Sequence, residues 1–152
     1  MNKWMQIAYD EAVMGILANE GGPFGAVIIK EGQVIATAHN QVLSSNDPTA
    51  HAEINTIREA SKKLSNFDLS GCTLYTTCKP CPMCLGAILW ARIDTVYYGT
   101  TEEDAQKSGF DDSRFYDVLK GEISILKLQQ IDYEQNVKLF DMWNAKEDRE
   151  LY

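Results

Sequence analysis

The 152-residue chain is 45% hydrophobic and 24% charged and carries a formal net charge of −8 at pH 7. That composition belongs to one folded domain, able to bury about two-thirds of its unfolded surface, and excludes disordered and fibrous classes. The acidic balance opposes partners held through phosphates, since such binding rests on Lys and Arg, so a small-molecule substrate is expected and a nucleic acid is not.

No apolar run approaches the roughly 18 residues needed to cross a bilayer, so no membrane partner is expected. The opening MNKWMQIAYDEA has neither the apolar core nor the small-residue cleavage site of a secretory signal. A cytoplasmic location is the expectation. The four cysteines, at 72, 78, 81 and 84, are clustered; in a reducing compartment that clustering points to a metal or redox site more than to disulfides.

Met5, Ala8, Ala12, Ile16 and Leu17 share one stripe at helical spacing, and Glu20-Gly21-Gly22-Pro23 stops the first helix. The apolar runs Phe24 to Ile29 and Val34 to Ala38, joined by Lys30-Glu31-Gly32-Gln33, predict a hairpin. Asn46-Asp47-Pro48 marks the start of a second helix, with Asp47 as cap and Pro48 in the first turn. A strand at Cys72 to Thr76, a helix from the Lys79-Pro80-Cys81-Pro82 punctuation through Ala91, and a strand at Thr95 to Gly99 follow. This alternation predicts an α/β layered domain with parallel pairing. Beyond it, Arg114 to Lys120 and Glu134 to Ala145 read as helices, with a strand at Ile123 to Leu128 between them. No repeat or linker divides residues 1–152.

Within that outline, His51 and Glu53 fall in the opening turn of the second helix and Cys81 and Cys84 at the start of the third. Thiolates at a helix start gain from its unpaired N–H groups and dipole, which favour the metal-binding form. One imidazole and two thiolates make three ligands, the number typical of a catalytic zinc site with its fourth position open. Glu53, two residues from a ligand and not itself on the metal, suits proton transfer. The set matches the H-x-E…P-C-x-x-C signature of zinc-dependent nucleobase deaminases.

The structural alternative is a closed site of His51, Cys78, Cys81 and Cys84, with Glu53 only a residue favoured by the helix dipole. Cys78 decides between the two, and its place ahead of Pro80 favours leaving it unligated. Cys72 reads as a packing residue in an apolar strand. Asn40 alone reads as a turn residue, Asp111 and Asp112 as a solvated loop pair or a helix cap, Phe24 and Trp90 as core, and the charged tail as frayed. His39 pairs with nothing recognisable and reads as structural.

Four segments, GGPFGAVI at 21–28, SNDPTAHAEI at 45–54, CKPCPMCLGAILWAR at 78–92 and GFDDS at 109–113, resemble the bacterial guanine deaminases of the cytidine-deaminase-like superfamily. The likeness runs over about residues 4 to 118. H-A-E and P-C-x-x-C mark the superfamily; PFGA and FDDS narrow it towards guanine. The resemblance implies a three-layer α/β/α fold with a five-stranded mixed sheet. It implies a homodimer whose C-terminal segment, about residues 130–152, crosses to the partner.

For the site it implies one zinc ion per subunit on His51, Cys81 and Cys84, and Glu53 as proton carrier. Asn40 and Asp112 are implied to bind the purine, Phe24 and Trp90 to flank the base, and Tyr152 to close the pocket. The implied reaction is the hydrolytic deamination of guanine to xanthine and ammonia. A tRNA adenosine deaminase, a cytosine or related small-amine deaminase, and a non-enzymatic module stapled by zinc are the competing readings. The chain departs from the family at Lys79, where Glu is common, which changes the charge beside the metal loop.

Overall fold

The computed structural model describes all residues, 1–152. Helix α1 (Lys3–Leu17) opens on Asn2, whose side chain accepts from the N–H groups of Trp4 and Met5. It buries Ala8, Ala12 and Gly15 against the sheet. The approach is close: a Cβ on Gly25 would meet the Ala8 carbonyl oxygen at 2.0 Å, so only glycine fits there.

Strands β1 (Gly25–Lys30) and β2 (Gln33–His39) form the expected hairpin. Short α2 (Val42–Ser45) leads to α3 (Ala52–Leu64), then β3 (Cys72–Cys78), α4 (Pro82–Trp90) and β4 (Thr95–Thr100). The sheet order is β2-β1-β3-β4, with β1 antiparallel to both neighbours and β3 parallel to β4. Helix α1 covers one face, and α3 with α4 covers the other.

The alternation of side chains along β1 divides the core into two layers. Ala26 and Ile28 join Ala52, Ala60, Leu74 and Ile88 on the α3–α4 side, while Val27 and Ile29 meet Ala8 and Met5 under α1. Both faces of β1 are therefore buried, which explains its unbroken apolar run.

Three expectations are corrected. Asp47 does not cap α3 and Pro48 is not in its first turn: the Asp47 carboxylate accepts from the Thr49 N–H and hydroxyl in a local turn, and His51 takes the capping position. A short helix, α5 (Glu102–Lys107), follows β4 where none was expected, opened by a Thr101–Asp104 capping box.

The third correction is that the mixed sheet has four strands, not five. Residues 121–132, between α6 (Ser113–Lys120) and α7 (Tyr133–Ala145), form no ladder, because within this chain they make no backbone pairing with β4. No residue after Ile93 is buried, and Leu126, Leu128, Ile131, Leu139, Phe140 and Met142 stand exposed. No helix is long and apolar enough to cross a membrane.

Candidate metal centre

Two helix starts converge beside the end of β3. At α3, His51 is the N-cap residue in extended backbone and its ring makes no cap bond, which frees the imidazole. At α4, Cys81 is the N-cap, Pro82 supplies the fixed φ of the first turn, and Cys84 follows three residues later. His51 Nδ1 lies 3.6 Å from the Cys81 sulfur and 3.5 Å from that of Cys84. The donor atoms of the three residues all stand within 4.8 Å of one another, placed to bind a metal ion.

Electrostatics suit that use. The Cys81 thiol is pulled down to about 4, first by the hydrogen bond from Cys84, and Cys84 is pushed up by the same partner and by burial. The pair thus shares one proton, which a cation accepting both sulfurs would displace. His51 is raised, mainly by Cys81. Imidazole and thiolates together are the donor set of zinc, and three of them leave one position open.

Cys78 does not join them. Its buried thiol donates to the Thr101 carbonyl oxygen at 3.5 Å, and burial pushes its pKa up. It lies outside the donor cluster.

Glu53, the second residue of α3, is 6% exposed. Its Oε2 lies 3.5 Å from the Cys84 sulfur, and its Oε1 accepts from the Thr76 hydroxyl at 3.3 Å. Burial, the largest cause, raises its pKa, so this carboxyl binds a proton more readily than an exposed one.

Glu53, His51 and Cys81 open onto a cavity of about 200 Å³. That is below the ~300–1,000 Å³ of drug-sized sites and suits one small heterocycle. Phe24 and Phe110, in an edge-to-face pair with centroids 4.9 Å apart, form one wall with Phe115. Lys79, Glu102, Asp111 and Asp112 supply the charges. Lys79 pairs with Glu102 at 2.7 Å, so the cavity's one cation is already matched.

The two aspartates divide their work. Asp111 accepts from the Ser113 hydroxyl and N–H at the start of α6, which keeps its carboxyl low. Asp112 makes no cap bond, and partial burial raises its pKa. Its carboxylate is thus left for the cavity.

Asn40 is 5% exposed and does not line the cavity. Its Oδ1 accepts from the N–H groups of Gly22 and Val42, while Nδ2 has no partner within the chain. Nor does the structure bring Trp90 or Tyr152 to the cavity. Trp90 ends the nine-residue α4 whose start carries the cysteines, about 13 Å of helical rise away. Tyr152 lies against it and against Phe67, at 6.3 Å from each ring, in a separate apolar depression.

Sequence reasoning missed Glu102, Ala105, Phe110 and Phe115 on the cavity wall. The T-x-x-D pattern at Thr101–Asp104 was the signal for the helix that carries the first two.

Residues 1–100 match the family described as the cytidine and deoxycytidylate deaminase zinc-binding region. The chain is similar to guanine deaminase of Bacillus subtilis, 45% identical over 143 residues that cover 93% of this chain and 92% of the relative. It is also similar to a tRNA-specific adenosine deaminase of Buchnera aphidicola, 40% identical over 82% of each chain. The X-ray structure of guanine deaminase from Bacillus subtilis superposes with a TM-score of 0.94 at 43% identity, covering 100% of this chain and 99% of that one.

Proposed function

The chain belongs to the zinc-binding cytidine and deoxycytidylate deaminase family, and on that premise we propose that it is a guanine deaminase, hydrolysing guanine to xanthine and ammonia. The observation that carries this reading is a buried carboxylate, Glu53, set against a three-donor metal cluster at the end of a cavity the size of one base.

His51, Cys81 and Cys84 hold the zinc, which when bound supplies the Lewis acidity that makes water nucleophilic near neutral pH. Glu53 takes the proton of the attacking water and passes it to the ring nitrogen beside guanine C2. A C2–O bond forms; Glu53 then takes the proton of the new C2 hydroxyl and delivers it to the exocyclic nitrogen, and as the C2=O bond forms the C2–N bond breaks, releasing ammonia. The Thr76 hydroxyl holds one carboxylate oxygen, so the other makes the transfers. The Phe24–Phe110 wall packs against the base and Asp112 accepts from its N–H edge, while Asn40, behind the cavity lining and bonded to Phe24, offers the purine its unpartnered Nδ2.

The tRNA reading has its own support in the Buchnera aphidicola relative. Against it stand the carboxylates of Asp111 and Asp112 on the cavity, which repel a phosphate backbone. Ammonia release from guanine, adenine, cytosine, their nucleosides and transfer RNA tests the assignment. Turnover of guanine is expected; activity confined to RNA overturns it.

The protein works in the cytoplasm as a homodimer, with about residues 130–152 exchanged between subunits. The support is the run of apolar side chains after residue 120 that no part of their own chain covers. Such an exchange also offers Tyr152 a cavity to close, which it does not reach in its own chain.

A further inference from the structure

His39 lies outside the metal centre, yet it joins two segments that bear on the cavity. Its Nδ1 stands 3.0 Å from Glu11 Oε2 on α1, and its Nε2 stands 3.0 Å from Glu20 Oε2 in the loop after α1. Ionised carboxylates only accept, so a ring facing one on each side must donate from both nitrogens, as an imidazolium does. The position is built for the ring: a Cβ on Gly15 would stand 2.6 Å from its Cδ2. Arg58 and Glu59 of α3 line the same polar depression.

The bridge acts on the cavity wall through short links. Glu20 Oε2 also accepts from the Gln41 side chain, and its backbone oxygen accepts from the N–H groups of Leu43 and Ser44. Next to it, Gly22 N–H donates to Asn40 Oδ1, and the Asn40 N–H donates to the Phe24 carbonyl oxygen. On the far side, Gln41 N–H holds the Ala50 carbonyl ahead of His51. Loop 20–24 and residues 40–41 are thus registered against each other around one histidine.

We propose that His39 is a positioning residue for substrate binding: bridging Glu11 and Glu20, it fixes loop 20–24 against the end of β2 and so sets the Asn40 amide and the Phe24 ring. The proposal rests on the reading of Asn40 and Phe24 as substrate contacts. The flanking carboxylates outweigh partial burial and hold the imidazole above its usual range. The bridge is therefore intact below that raised value and opens as pH rises through it.

The test is kcat and KM for guanine with the zinc-loaded wild type, His39→Gln and Glu20→Gln, from about pH 6 to about pH 10. At about pH 6, below the usual imidazole value, both variants should raise KM about tenfold, with zinc content kept and kcat changed less. Wild-type KM should climb towards theirs as pH rises, so that the gap closes. Equal KM at every pH overturns the proposal, and so does a gap that stays constant with pH, which marks a steric role. If His39→Gln fails to fold, the half-exposed Glu20→Gln carries the same comparison. Asn40→Ala separates the two readings: unchanged KM there beside a raised KM in His39→Gln removes Asn40 as a contact and leaves positioning through Phe24.

Discussion

Glu53 and Cys84 come from the starts of two different helices, yet the Glu53 Oε2 lies only 3.5 Å from the Cys84 sulfur. The carboxylate therefore borders the donor cluster without being one of its three members. Glu53→Gln keeps the shape and the Thr76 contact but removes the proton acceptor. Turnover should fall by about 10²–10⁴-fold or more, while metal analysis still finds one zinc per chain. Near wild-type turnover would remove Glu53 from the proposed proton path.

Cys78 tests the count of ligands. Its thiol is already engaged with the Thr101 carbonyl, so Cys78→Ala should keep stoichiometric zinc and most activity. Cys81→Ala or Cys84→Ala should lose both together. Loss of zinc from Cys78→Ala would convert the centre to a closed structural site.

Asp111 and Asp112 are adjacent and make opposite predictions. Asp112→Asn weakens the acceptor proposed to face the base, and a hydrogen bond to a charged group is worth about 1.5–3 kcal/mol, so kcat/KM for guanine should drop roughly ten- to a hundredfold. Asp111→Asn touches the Ser113 turn instead, and its effect should appear in thermal stability with guanine kinetics nearly unchanged. The reverse pattern would exchange their roles.

His39 also predicts a stability profile. Its raised pKa means that its contribution is fully present below the unfolded imidazole value, about 6.5, and is lost as pH rises through the folded value. Glu20 is lowered, first by Gln41 and then by His39, so its share is lost as pH falls through the folded carboxylate value. The melting temperature of wild type should exceed that of His39→Gln most in the window between these limits, and the two should converge at alkaline pH. A difference independent of pH would show that the bridge carries no charge.

The metal cluster was legible in the sequence because its parts are local: His51 with Glu53 sits at one helix start and Cys81 with Cys84 at another, although only the second start carries its expected proline, Pro82. The hairpin and the β3–α4–β4 unit were legible for the same reason. The Glu11–His39–Glu20 bridge was not, since it joins residues 28 and 19 positions apart and no short-range pattern encodes it. The missing fifth strand has the same origin. Ile123 to Leu128 has the apolar character of a strand, but a strand also needs a ladder partner, which its own chain does not provide.

The C-terminal aromatic gives the sharpest test of assembly. In its own chain Tyr152 rests on Phe67 and Trp90, away from the cavity that holds Glu53. If it closes the partner's cavity in the proposed homodimer, deleting Leu151 and Tyr152 should silence guanine turnover. Glu53→Gln is silent for a different reason: its tail is intact and its proton carrier is gone. After the two silent forms are unfolded and refolded together, mixed dimers should contain one cavity with both Glu53 and a tail donated by the other subunit. Activity should then return in the mixture. A tail acting on its own subunit leaves every cavity in the mixed dimer short of one part, so a mixture that stays silent would rule out the cross-subunit role.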